Sequence, residues 1–261
     1  MATSASTTGV PVIRVPILTY HSLDDSGAVT SVAPRDFAEH MRSLARRGFT
    51  GISLSDLLDS WAGKGTLPSR PVVLTFDDCF ANLLPHAAPL LAELRFRATL
   101  FAVSGRCGQT NDWPNQASGI PRLPLLTWDQ LAEMSAAGFE IGAHTVTHRQ
   151  LTALPVDEAR REILESKAAI EDRLGTVVTT FAYPFGAMND AARECVRENF
   201  HAGCSVEFGT ASPEGDRAAL PRLDVYYLRS QAIFNLFGTW AGGAYLGLRG
   251  AGRQLKARLN G

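Results

Sequence analysis

Short apolar segments rich in β-branched residues alternate with segments of helical periodicity along most of the chain. Residues 71–76 read P-V-V-L-T-F, which is typical of a strand buried on both faces, and residues 156–174 form an amphipathic pattern that ends at Gly175. Strands that alternate with helices usually form a parallel sheet with right-handed crossovers. Because about seven such units follow one another in 261 residues, the pattern favours closure into a single α/β barrel over an open sheet.

The apolar and helical patterns predict where each strand and each helix begins and ends. We expect strands at residues 12–20, 49–52, 71–76, 98–103, 139–142, 177–182, 202–206 and 222–226. We expect helices at residues 34–47, 81–94, 156–174 and 189–199, and two more that begin after the capping residues Ser53 and Thr127. Residues 104–126 contain many Gly and Pro, which predicts a long loop, and long loops in compact domains are often functional.

Charge and cysteine content exclude two classes of site. The chain has 25 Lys and Arg against 26 Asp and Glu, whereas a nucleic-acid binder usually carries a basic excess. We therefore expect no nucleic-acid partner. The 4 Cys form no C-x-x-C pair, so we expect reduced thiols and neither a disulfide framework nor a cysteine-type zinc site.

The two ends of the chain differ from residues 14–230, which we interpret as the barrel domain. Residues 1–13 lack the basic and apolar regions of a secretory signal, so we expect a disordered tail and a cytoplasmic protein. Residues 231–261 mix aromatic residues and Gly with basic residues. This C-terminal tail is compatible with contact at a membrane surface or with a partner, and equally with a helix that covers the bottom of the barrel.

Two pairs of polar residues follow predicted strands, at the end of a parallel barrel where active sites lie. Asp77 and Asp78 follow the strand at residues 71–76, and buried adjacent carboxylates are costly unless they are paired or bind a metal. A simple turn is the alternative. His144 and His148 follow the strand at residues 139–142, and they would share one face and bind one metal if the segment were helical. Two surface His are the alternative, and the lack of a Glu between them argues against an H-E-x-x-H metalloprotease.

A third motif, Tyr183-Pro184-Phe185-Gly186, follows the predicted strand at residues 177–182. A Pro and a Gly beside an aromatic residue impose an unusual backbone, which can direct an N–H group at a developing oxyanion. Taken alone, the motif is better explained as an ordinary loop.

Together, T-F-D-D, H-T-V-T-H and F-A-Y-P-F-G, in this order and after strands, resemble the motifs of the polysaccharide deacetylase family. This family is also called carbohydrate esterase family four or the NodB homology domain. The resemblance covers residues 14–228 approximately. It implies a distorted (β/α) barrel with about seven parallel strands. It also implies an N-acetylated carbohydrate as the substrate.

The resemblance implies a role for each motif. Asp77 is the general base, Asp78, His144 and His148 bind a divalent metal, and the backbone N–H of Phe185 lies at the oxyanion. An Asp and two His suit Zn²⁺, although Co²⁺, Ni²⁺ or Fe²⁺ can also serve in such a site. Three protein ligands leave a position open for a water molecule, whose pKa the metal lowers.

The chain departs from the family pattern at three positions. Many members have Gly where this chain has Cys79, which we interpret as a bystander. The third motif lacks the Arg that many members carry, and we expect Arg222 to substitute as the partner of Asp77. The family's late general-acid His is also absent. Instead, I-L-T-Y-H-S-L places His21 after the first strand, which resembles the biofilm poly-N-acetylglucosamine deacetylase branch. We expect His21 to be the general acid, with a core or turn His as the alternative.

These residues predict a metal-dependent N-deacetylase that acts on a glycan, an oligosaccharide or a lipid-linked precursor. The alternative is a non-catalytic sugar-binding or scaffold barrel of the same fold, which is disfavoured because acid, base and metal ligands are all present if His21 is the acid. A glycosidase is disfavoured because its two carboxyl groups must lie ~5–9.5 Å apart across a sugar bond, which adjacent residues seldom achieve.

Overall fold

The computed structural model describes residues 14–259. The tail predicted at residues 1–13 lies outside the described residues. The strands are β1 Ile17–Tyr20, β2 Ser22–Leu23, β3 Ser31–Val32, β4 Thr50–Ile52, β5 Pro71–Asp77, β6 Thr99–Ala102, β7 Glu140–Ala143, β8 Thr180–Ala182, β9 Ala202–Phe208 and β10 Leu220–Asp224. The helices are α1 Pro34–Arg46, α2 Leu54–Trp61, α3 Leu83–His86, α4 Ala88–Leu94, α5 Trp128–Ala136, α6 Val156–Leu174, α7 Asp190–Asn199, α8 Gln231–Phe234 and α9 Trp240–Leu259.

Seven parallel strands close into a barrel, which confirms the predicted fold. The strands are β1 and β5 to β10, and the barrel closes because β1 pairs with β10 on one edge and with β5 on the other. The distortion lies at β5. Two strands share the edge of β5 that lies opposite β1. Strand β4 pairs with the first half of β5, where Gly51 lies opposite Val72. Strand β6 pairs with the second half, where Phe76 lies opposite Leu100.

Capping residues mark the start of α2 and α5 and the end of α6, as the sequence predicts. The hydroxyl of Ser53 accepts the N–H of Asp56, whose carboxylate accepts the N–H of Ser53, and Thr127 forms the same reciprocal pair with Gln130. Helix α6 ends at Gly175, which has a φ of 66° that glycine adopts without strain.

The structure corrects several predicted boundaries. The helix predicted at residues 81–94 is two short helices, because Pro89 has no N–H to donate and its ring is incompatible with a continuous turn. The first strand begins at Ile17, and the strand predicted at residues 177–182 begins at Thr180, so both begin later than predicted. The last strand begins at Leu220, so that Arg222 lies within β10 and not at its start.

The chain after residue 230 first packs against α1 and against the segment before β4. Phe234 and Phe237 are buried in the main core, and Phe237 contacts Phe49, just before β4. Helix α9 then reaches the other end of the barrel, where the hydroxyl of Tyr245 donates to the carbonyl of Tyr227 at 3.0 Å. Among residues 14–259, no helix is long and apolar enough to cross a membrane.

Candidate active site

The predicted site residues meet at the carboxyl ends of the barrel strands. They surround a cavity of about 320 Å³, and the predicted residues among its walls are His21, Asp77, Asp78, His144, His148, Phe185 and Arg222. Strands β1, β7 and β8 each end directly before one of these motifs. Asp77 is the last residue of β5, one residue beyond the predicted strand end, and β10 contributes Arg222 from within the strand. The parallel register of the barrel therefore brings together residues up to 201 positions apart in sequence, from His21 to Arg222.

Three side chains converge as a metal site would require. Oδ1 of Asp78 lies 3.5 Å from Nε2 of His144 and 3.2 Å from Nε2 of His148. The three candidate ligand atoms lie within 4.8 Å of one another, and all three residues are buried. Burial alone would raise the pKa of Asp78, but the imidazoles of His148 and His144 outweigh it and lower that pKa, so the carboxylate is ionised.

The hydrogen bonds around these side chains favour a bound cation. Nδ1 of His144 lies 2.7 Å from the carbonyl oxygen of Ala182. Because a carbonyl only accepts, Nδ1 carries a proton, and Nε2 is the nitrogen that can bind a metal once its own proton is lost. Among the side chains that the structure describes, Oδ1 of Asp78 has no hydrogen-bond partner. A divalent cation between Oδ1 of Asp78 and the two Nε2 atoms would satisfy an oxygen that is otherwise costly to bury, so the residues fit a metal.

The two His converge through a loop, and the helical arrangement considered for them is wrong. Residues 144–148 are not helical, and Thr145 and His148 have left-handed φ values of 66° and 58°. The hydroxyl of Thr145 accepts the N–H of His148 at 3.0 Å. This tight turn leaves the two imidazole centroids 4.9 Å apart.

Asp77 has a different environment from Asp78. Arg222 donates two parallel hydrogen bonds to it, from Nη1 to Oδ1 at 2.7 Å and from Nη2 to Oδ2 at 2.8 Å. Arg222 is itself fixed by a 3.0 Å hydrogen bond from Nε to the carbonyl of Ser205. Burial would raise the pKa of Asp77, but Arg222 outweighs it and lowers that pKa. Asp77 is therefore an ionised carboxylate held in one orientation, as a general base must be.

His21 lies on the wall of the same cavity, at the end of β1. Its Nε2 is 3.9 Å from Oδ2 of Asp77, and its side chain is 24% exposed. The distance is too long for a hydrogen bond. The ring is therefore close to the Asp77–Arg222 pair, yet it is open to solvent and to a ligand in the cavity.

A family model described as polysaccharide deacetylase matches residues 64–201, which is more than half of the chain. The chain belongs to the polysaccharide deacetylase family. The family consists of hydrolases, so this deacetylase is an enzyme that acts on carbon–nitrogen bonds other than peptide bonds.

Sequence relatives of this deacetylase extend the match over most of the chain. YxkH of Bacillus subtilis (strain 168) is 26% identical over 225 residues, which covers 86% of this chain and 76% of that protein. The poly-beta-1,6-N-acetyl-D-glucosamine N-deacetylase of Staphylococcus aureus (strain MRSA252) is 24% identical over 222 residues, which covers 81% of this chain and 72% of that protein.

Solved structures support the same fold. The deacetylase PplD of Streptococcus pyogenes, in complex with acetate, superposes with a TM-score of 0.71 at 24% identity, covering 82% of this chain and 92% of that chain. IcaB from Ammonifex degensii superposes with a TM-score of 0.70 at 22% identity, covering 85% of this chain and 97% of that chain.

The third motif of the deacetylase forms a strained turn at the rim of the cavity. Phe185 has a φ of 57°, and its half-exposed ring contacts His148 edge-on with centroids 4.7 Å apart. At Gly186 a Cβ atom would lie 2.1 Å from Val206, so only glycine fits there. The turn fixes the backbone of Phe185 beside the candidate metal site, and the role of its N–H at an oxyanion stays a prediction.

Cys79 belongs to the core. It is buried, and burial raises the pKa of its thiol well above the ordinary value, so the thiol stays protonated. Its φ of 57° is a value that glycine adopts without strain. This backbone conformation accounts for the glycine that many family members carry at this position.

Sequence reasoning missed two side chains that contact the His loop. Trp113, in the predicted long loop, packs on His148 with ring centroids 4.0 Å apart. Glu162, on α6, accepts hydrogen bonds from the loop itself. The composition of residues 104–126 indicates a functional loop but does not single out Trp113. Glu162 could have been singled out from the sequence, because it is a carboxylate within the otherwise mostly apolar stripe of α6. The other buried residues of this stripe are Ala159, Ile163, Ser166 and Ile170.

Proposed function

We propose that the protein is a metal-dependent N-deacetylase that hydrolyses the acetamide of an N-acetylated sugar in a glycan, an oligosaccharide or a lipid-linked precursor. The observation that carries this proposal is the convergence of the Asp78, His144 and His148 ligand atoms beside the Asp77–Arg222 pair, in one cavity. The name of the Staphylococcus aureus relative, a poly-beta-1,6-N-acetyl-D-glucosamine N-deacetylase, supports an amino sugar as the acetylated group.

Asp78, His144 and His148 would hold the metal, and Zn²⁺ suits one carboxylate and two imidazoles. A divalent ion bound there would lower the pKa of a water molecule and polarise the acetyl carbonyl. The carbonyl of Ala182 fixes the tautomer of His144, so that its Nε2 is available as a ligand.

Asp77 would accept the proton of the attacking water. Arg222 keeps this carboxylate ionised and occupies one lone pair of each of its oxygens, which leaves further lone pairs for the water. The backbone N–H of Phe185 would donate a hydrogen bond to the oxyanion that forms on the acetyl oxygen.

His21 would complete the reaction by donating a proton to the nitrogen of the sugar. The water oxygen forms a bond to the acetyl carbon, the bond from that carbon to nitrogen breaks, and the products are acetate and a free amine. An amine is a poor leaving group unless it is protonated, so an acid must lie near the base. The 3.9 Å separation of His21 and Asp77 satisfies this requirement.

The direct test is to incubate metal-loaded protein with N-acetylated glucosamine oligomers and to quantify both acetate and free amine. We expect the two products in equal amounts. Binding of the oligomers without either product, at one bound metal per chain, would favour the non-catalytic sugar-binding barrel instead. Apo protein reconstituted separately with Zn²⁺, Co²⁺, Ni²⁺ or Fe²⁺ would identify the metal that supports turnover.

A further inference from the structure

We propose that Glu162 is a positioning residue that holds the metal-binding loop, residues 144–148, in the conformation that brings His148 to the metal. The inference rests on the proposed function, in which His148 is a metal ligand. It concerns a side chain that lies outside the cavity and outside all three sequence motifs.

Glu162 is joined to the loop by three hydrogen bonds. Its Oε2 accepts the N–H groups of Val146 and Thr147, both at 2.9 Å. Its Oε1 accepts the hydroxyl of Thr147 at 2.5 Å. Glu162 is only 9% exposed. The loop therefore supplies the hydrogen bonds that make burial of this carboxylate tolerable.

The loop needs such a partner because its backbone is strained. Thr145 and His148 have φ values of 66° and 58°, in a region that a β-branched residue such as Thr seldom adopts. Val146 and Thr147 lie between these two residues, and their N–H groups are the ones that Glu162 binds. The carboxylate therefore fixes two of the three peptide units that join the strained positions.

The opposite side of the loop is also fixed, by the turn that follows β6. Gly105 donates its N–H to the carbonyl of Val146 at 2.8 Å, and Ser104 donates to the carbonyl of Thr145 at 3.1 Å. A Cβ atom at Gly105 would lie 2.7 Å from the oxygen of Val146, so this approach requires glycine. The loop thus lies between a backbone contact and Glu162, and removal of Glu162 frees one side of it.

Loss of Glu162 should affect His148 more than His144. His144 directly follows β7 and is held by the carbonyl of Ala182, which is independent of α6. His148 follows the strained segment and depends on its conformation. We therefore expect weaker metal binding with an altered geometry, and not merely a less stable fold.

The experiment compares Glu162→Ala and Glu162→Gln with wild type. Zn²⁺ affinity is measured by competition with a chromophoric chelator, and the visible absorption spectrum of the Co²⁺-loaded protein reports the geometry of the site. We expect Glu162→Ala to weaken Zn²⁺ binding by ~10–100-fold, as is typical for a residue that orients a metal ligand, and to change the Co²⁺ spectrum. Glu162→Gln should lie between Ala and wild type, because its amide oxygen can accept both N–H groups and its NH₂ can donate to Thr147.

Glu165 offers the matched control, since it is an exposed glutamate on the same helix. Glu165→Ala and Glu165→Gln should bind Zn²⁺ like wild type. Thermal unfolding of each metal-free variant separates loss of fold from loss of ligand geometry, and Glu162→Gln decides the question if Glu162→Ala does not fold.

Two results would overturn the inference, and they differ. Wild-type Zn²⁺ affinity and an unchanged Co²⁺ spectrum in the Glu162 variants would show that Glu162 does not position the loop, while leaving the metal site intact. No metal binding by the wild-type protein would overturn the proposed function, and the role of Glu162 with it.

Discussion

Asp77 and Asp78 are neighbours in sequence, but their carboxylates have different partners. The φ of 70° at Asp78 turns the chain sharply after β5. Asp77 pairs with Arg222, whereas Asp78 faces the two His. This separation supports the proposed roles, in which Asp77 transfers the proton and Asp78 binds the metal.

Asp77→Asn should therefore keep its metal and lose turnover. We expect a decrease in kcat of ~10²–10⁴-fold, which is typical for removal of a general base. Asp78→Asn should instead lose most of the bound metal, because it removes the only charged ligand. Metal content by atomic emission, measured beside acetate release, distinguishes the two variants. Loss of metal in Asp77→Asn would show that the two roles are reversed.

The proposed role of His21 is to protonate the nitrogen that leaves the acetyl carbon. If it protonates the leaving group, its importance should depend on how good that leaving group is. We expect His21→Ala to lose ~10²–10⁴-fold in turnover of an N-acetylated sugar while keeping its metal. The same variant should lose much less with p-nitrophenyl acetate, whose phenolate leaves without protonation. Equal losses with both substrates would argue against a general-acid role.

At the scale of elements, a local structure set by neighbouring residues was predictable from the sequence, whereas one set by distant residues was not. The capping residues Ser53 and Thr127 were predicted because a helix cap depends only on neighbouring residues. The loop of residues 144–148 was not, because its conformation depends on Glu162, which is distant in sequence. The spacing of His144 and His148 therefore identified them as candidate ligands, although they converge through a loop and not on one face of a helix.

The contact between α1 and α8 predicts a pH-dependent stability. His40 of α1 stacks on Phe234 of α8 with ring centroids 3.8 Å apart. Burial lowers the pKa of His40 from 6.5 to about 4, although its contact with the carbonyl of Arg229 opposes this. Below pH 6.5 the unfolded chain takes up this proton and the folded chain does not. The stabilisation present above pH 6.5 is therefore lost as the pH falls towards 4.

Urea unfolding of wild type and His40→Gln at several pH values measures this effect. Between neutral pH and about pH 4, wild type should lose roughly 2–4 kcal/mol more unfolding free energy than the variant, which has no imidazole to titrate. His86→Gln, at an exposed position, should behave like wild type. The prediction is wrong if His40→Gln shows the wild-type pH dependence.

At the scale of the whole molecule, the barrel and most of its site were predictable, because the motifs follow strands whose ends meet in a parallel barrel. The sharing of one β5 edge by β4 and β6 was not predictable, since strand pairing depends on contacts between distant segments. Trp113 was not predictable for the same reason, because its position over His148 is set by the path of a long loop.

The central claim is that one metal, held by Asp78, His144 and His148, makes this barrel a deacetylase. The most direct measurement is acetate release from an N-acetylated glucosamine oligomer as Zn²⁺ is titrated into metal-free protein, with His148→Ala as the matched variant. We expect release to rise in proportion to bound metal and to saturate at one ion per chain, while His148→Ala stays near the blank at the same Zn²⁺ concentrations. Full activity of the metal-free protein, or of His148→Ala, would contradict the account.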